Sequence, residues 1–177
     1  MDALSGSTFI EFIHYNNWAN QKVLEACRGL SDEQLDAEIP GAYGTIRSTL
    51  LHILWSEAFY LELITGSFPL PPFNRGDSPT LDQLAAYAAQ VGPALVEMAQ
   101  RTPPTAVVEE DLENEHLRYT ALALFIQIID HGIEHRTNIT TVLNQGLLTP
   151  PEIDGWAYMD AFHDRFGFQA TAKPGAA

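Results

Sequence analysis

The chain lacks most of what would tie it to a disulfide framework, a membrane or a nucleic acid. Cys27 is its single cysteine, so no internal disulfide can form. Lys22 and Lys173 are its only lysines. With seven arginines from separate segments they face 23 acidic residues, and the net charge is −14. Such a surface repels phosphate backbones and anionic headgroups, so neither nucleic acid nor a membrane is an expected partner. No apolar run is long enough to span a bilayer. The N-terminal MDALSGSTFIEFIHYNNWANQ has neither the basic segment nor the long apolar core of a signal peptide. A soluble cytoplasmic protein is the expectation.

What is present is apolar content, 46% over 177 residues, enough for one domain with a proper core. Period assigns the elements. From Ser7 to about Arg28, the residues Phe9, Ile13, Asn16, Asn20, Leu24 and Cys27 recur at three- and four-residue steps, which predicts a helix. Ser31-Asp-Glu-Gln is a capping box for a short helix. Thr45 to Thr65 predicts a second long helix, apolar on most sides and ended by Gly66. The stretch 66–80, with four prolines and two glycines, is a loop that could edge a pocket. Thr80-Leu-Asp-Gln caps a third long helix to about Arg101. Residues 102–118 could hold a short strand or hairpin around Val107. Thr120 to Gln145 predicts the longest helix, closed by Gly146, and a last short helix covers Trp156 to Phe166. The expected domain spans 1–168, followed by a flexible tail, 169–177.

Within the longest helix, Leu124, Ile128, His131, His135, Asn138 and Val142 fall on one stripe. Residues four apart differ by about 40° around the axis and one turn along it, so both imidazoles point to the apolar side together. Two readings stand: a pair of hydrogen-bonded core histidines, or two ligands of one metal ion. His52, mid-helix in LLHILWSE, is the candidate third ligand. Each unpartnered buried ring costs desolvation energy unless something binds it.

Three stretches resemble the DinB family of helical-bundle proteins, which includes YfiT-like metalloenzymes. They are HYNNWANQKVL (14–24), GTIRSTLLHILWSEAFYL (44–61) and IIDHGIEHRTNITTVLNQGLLTPPEID (128–154). The resemblance implies that His52, His131 and His135 form a three-histidine site for a divalent metal ion: nickel, zinc, iron or manganese. The fold expected is all-α, a four-helix bundle of up-down-down-up type with short extra helices. The family often carries His-Arg-Gly-Gln where this chain has HRTN. Thr137 then stands for the glycine and Asn138 for the glutamine, a change expected to alter substrate preference more than metal binding. The implied function is a metal-dependent enzyme acting on a small molecule, either a low-molecular-weight thiol S-transferase or a hydrolase. The alternative is a non-catalytic metal or small-molecule binding bundle in stress response. A homodimer is expected as well, since relatives pair through bundle helices and the second long helix is apolar nearly all round.

No catalytic residue is assigned. HGIEH is not HExxH, so Glu134 reads as a solvated glutamate, and Asp130 as exposed. Asn16 and Asn20, buried amides that require partners, either line the pocket or tie helices together. Trp18, Trp55 and Tyr60 read as core or rim aromatics. His14, His116 and His163 read as surface or structural residues, and Cys27 as an inert core thiol.

Overall fold

Four side-chain oxygens start helices by accepting a backbone N–H one turn on. The computed structural model describes residues 3–67, 72–74, 76–146 and 148–167. In it Ser31, Thr45, Thr80 and Asp154 open α2 (Asp32–Leu35), α3 (Ile46–Thr65), α4 (Leu81–Arg101) and α6 (Gly155–Ala161). Ser31 with Gln34 and Thr80 with Gln83 complete reciprocal capping boxes. α3 ends at Gly66, whose φ of 77° favours a residue without Cβ. α1 (Ala3–Ala26) begins earlier than the apolar period alone suggests, and α5 (Ala121–Gln145) ends before Gly146. The last predicted helix is two pieces: α6, then a 3-10 turn, His163–Phe166.

The four long helices supply most of the core. α1 packs on α4 and α5, and α3 packs on the same two. Ile13, Val23, Leu51, Ile53, Leu54, Leu84, Leu95, Ile128 and Ile139 are buried between them. The architecture is mainly helical, with one addition to the all-α expectation. β1 (Val107–Asp111) and β2 (His116–Thr120) form an antiparallel hairpin in register Val107↔Thr120 to Asp111↔His116. Alternation explains it, since Val108 is buried while Val107 and Glu109 face solvent. β1 rests on α3, and the hairpin runs directly into α5.

α3 is the most deeply buried of the long helices on its apolar side. Most of its apolar residues pack inside the chain, against α4, α5 and β1, while Trp55, Phe59, Leu63 and Ile64 stay partly exposed. The exposed large apolar residues lie elsewhere, among them Phe12 on α1, Ile126 and Ile133 on α5, and Trp156 on α6. Residues 68–71 and 75 of the proline-rich loop, and the tail 169–177, fall outside the described residues. No described helix is long and apolar enough to cross a membrane.

Candidate metal centre

α3 and α5 bring three imidazoles to one point. His131 Nε2 lies 2.9 Å from His52 Nε2. The ring centroids of His131 and His135 are 4.3 Å apart, and those of His52 and His135 are 4.6 Å apart. One nitrogen from each ring lies within 4.8 Å of the other two. His131 and His135 are buried, and His52 is half-buried on the open side.

The chemistry of the donors fits a metal ion. Burial, aided by the neighbouring imidazoles, pushes the His131 ring down to about 4, and burial also lowers His135. Both rings are therefore neutral near pH 7 and offer lone pairs. His135 Nδ1 is buried and has no hydrogen-bond partner among the described residues. An ion with Zn–N bonds of about 2.1 Å would hold tetrahedral nitrogens about 3.4 Å apart; here one pair is closer, at 2.9 Å, and all three lie within 4.8 Å. In the His131–His52 contact one ring donates a proton that the other accepts, and a bound ion would displace that proton.

Aromatic rings frame the open side. Tyr43, in the turn before α3, stacks on His52 with centroids 4.9 Å apart and meets His135 edge-on at 4.3 Å. Tyr60 stands edge-on to His131 at 6.1 Å. Asn138 does not point a free amide at the rings. Its Nδ2 donates to the Glu134 carbonyl, and its Oδ1 accepts the backbone N–H of Tyr43 at 3.2 Å. The shorter Asn at this place thus fastens the Tyr43 turn to α5.

One turn deeper lies a polar knot that explains Asn16 and Asn20. Both Nδ2 groups donate to Glu57 Oε1, at 2.6 and 2.8 Å. Both Oδ1 atoms accept from Arg136 Nη1 at 2.7 Å. All four residues are buried. Burial raises the Glu57 carboxyl while its two amide donors and Arg136 pull it back, and burial lowers the Arg136 guanidinium while Glu57 opposes that. Of the two roles open to the asparagines, tying helices is the one observed: they link α1 to α3 and α5, the helices that carry the histidines. Gly132 makes room for this. A Cβ there would strike Asn16 Oδ1 and would lie 2.7 Å from Arg136 Nη1.

The remaining candidates settle simply. Glu134 and Asp130 are exposed. Trp18 packs on Tyr15 and Tyr158, and Trp55 on Phe59. His116 pairs with Asp111 on the hairpin, and His163 is exposed beside Asp164. His14 is half-buried. Cys27 is buried, and desolvation pushes its thiol up to about 12. Sequence reasoning missed Tyr43, Glu57 and Arg136. A glutamate inside an otherwise apolar helix, and a Gly132–Arg136 pair spaced like the histidines, were the available signals.

The family model described as "DinB family" matches residues 4–166, nearly the whole chain and all three histidines. The chain belongs to the DinB family. Among curated DinB relatives, "Protein DinB" of Bacillus subtilis (strain 168) is 22% identical over 140 residues, spanning 74% of this chain and 81% of that protein. Among solved structures, a DinB-like protein from Bacillus cereus ATCC 10987 superposes with a TM-score of 0.62 at 23% identity, covering 81% of this chain and 93% of the other. At that identity the likeness establishes the DinB fold and nothing about substrate.

Proposed function

We propose that this chain is a metal-dependent enzyme acting on small molecules, a low-molecular-weight thiol S-transferase or a hydrolase, with a divalent ion held by His52, His131 and His135. The observation that carries the reading is the convergence of three imidazoles, one nitrogen of each within 4.8 Å of the other two. Three largely buried, neutral imidazoles meeting at one point are a donor set suited to a divalent ion. Three protein nitrogens leave coordination positions open for water or a sulfur ligand. When bound, the ion would lower the pKa of water or hold a thiol as thiolate at neutral pH.

The chain's own residues supply position and exclusion. The Asn16–Asn20–Glu57–Arg136 knot fixes α3 against α5, which sets the spacing of His52 from the other two rings. Tyr60 and Tyr43 wall the site with ring faces and edges. The up-down-down-up order belongs to the same reading. Phe9 beside Phe125 and Asn16 beside Arg136 support a parallel α1 and α5, and Tyr60 beside Gln127 with His52 beside His131 supports an antiparallel α3.

The test is elemental analysis of protein purified without a histidine tag. A thiol-transfer and hydrolysis screen with the metal found then follows. About one divalent ion per chain, lost in a His52→Ala variant, together with turnover of an electrophile, is the expected outcome. Metal without turnover would favour the binding-bundle reading, and protein that takes up no divalent ion would reject both.

A further inference from the structure

The segment Gly41–Ala42–Tyr43–Gly44 is pinned on either side of the tyrosine. Ala42 donates to the Ile39 carbonyl at 3.1 Å and is half-buried against the core. Two residues after Tyr43, Thr45 caps α3. Gly41 has a φ of 87°, a conformation that a side chain would strain. A Cβ on Gly44 would lie 2.7 Å from Ser48 Oγ. The turn that carries Tyr43 is therefore fixed on both sides, and its ring covers two of the three imidazoles. It is nonetheless 55% exposed. Its outer face meets solvent and its inner side meets the donors, so it stands between the two.

We propose that Tyr43, latched by Asn138, is the specificity-determining residue of the site: it limits by bulk which thiol or other small ligand reaches the open coordination positions beside His52 and His135. The inference rests on the metal-site reading above. The shape of the ring does the selecting, because the ring makes the contacts with the imidazoles. Asn138 takes part through its single bond to the Tyr43 backbone, which holds the turn against α5. Asn138 is a positioning residue, and its own side chain needs no contact with the ligand.

Cobalt(II) loaded into the stripped protein reports ligand binding through its visible and near-ultraviolet bands, independently of turnover. Two thiols with the same sulfur donor, 2-mercaptoethanol and glutathione, are titrated separately. In Tyr43→Ala, affinity for glutathione relative to 2-mercaptoethanol should rise by about tenfold or more, the scale on which a pocket wall discriminates by size. Tyr43→Phe should keep the wild-type ratio, since the ring is retained. Asn138→Ala should move the ratio in the same direction as Tyr43→Ala. An unchanged ratio in Tyr43→Ala at full cobalt stoichiometry would overturn the role of Tyr43 and leave the metal site standing. A wild-type protein that binds no cobalt through its histidines would overturn the metal-site reading and this inference with it.

Discussion

At the scale of single residues, the histidines and the residues that hold the fold are separable. His135 contributes one side chain to the core, and its buried Nδ1 makes no hydrogen bond that folding would lose. His135→Ala should therefore abolish metal retention while leaving the bundle folded. Stability should fall mainly through the lost ligand linkage, which scales with metal concentration. Circular dichroism and metal content measured on one sample test this, and normal metal stoichiometry in the variant would refute the assignment. Acid gives a second test. The His131 ring sits at about 4 in the folded protein against an ordinary 6.5. Between those values the unfolded chain holds a proton that the folded one does not. Stability of the metal-free protein should then rise with pH across that window and be lost as pH falls through it. Urea midpoints at roughly pH 7, 6 and 5 should show the decline, and His131→Asn should flatten it. Equal slopes in the two proteins would assign the acid sensitivity to other groups.

At the scale of elements, the knot cross-links α1, α3 and α5, with Glu57 and Arg136 joined through the amides of Asn16 and Asn20. Arg136→Leu alone leaves a carboxylate and two amides buried without their cation and should cost about 3–5 kcal/mol. The double variant Glu57→Leu/Arg136→Leu should lose less than the sum of the single changes, by about 1–3 kcal/mol in a denaturant cycle. Additive losses would show that the two groups do not act through each other. The long helices, the two capping boxes and the paired histidines of α5 were legible in the sequence, because period and capping chemistry are local; His52 on α3 joined them through the family resemblance. The knot was not. Asn16 and Asn20 announced a need for partners, but Glu57 and Arg136 lie 37 to 120 residues from them and read locally as ordinary charges. Tyr43 was invisible for a related reason: a turn residue carries no period, and its place over the rings depends on packing between α3 and α5. The hairpin was half legible, since β-branched residues at 107 and 108 suggested a strand, while its partner strand contains a charged residue and a histidine.

At the scale of the whole molecule, the charge of −14 and the exposed apolar residues sit on the same small domain. Phe12, Ile133, Trp156 and Phe166 line one groove, and Phe12 and Ile133 continue into a second with Ile126. A contiguous apolar surface on an acidic protein marks a contact site. We propose that the expected homodimer forms through this α1–α5–α6 face. Light scattering at micromolar concentration should report a dimer, and Ile133→Glu should shift it to monomer. A wild-type protein that stays monomeric would end the proposal.

α5 carries two tasks in one interleaved frame. His131 and His135 face α3, while Gly132 and Arg136, each one position further on, meet Asn16 on α1. One residue of displacement turns a helix by about 100°, so the two tasks are held apart only by counting. Substitution can remove either task singly, but a change of length cannot. An alanine inserted after Ile129 would swing the imidazoles off their common point and pull the guanidinium out of its amide cradle together. Metal uptake and the cooperative thermal transition should vanish in the same variant. Survival of either would show that α5 can re-index itself. The helix can thus drift in composition while its length is locked, much as a reading frame tolerates altered codons but not an extra base.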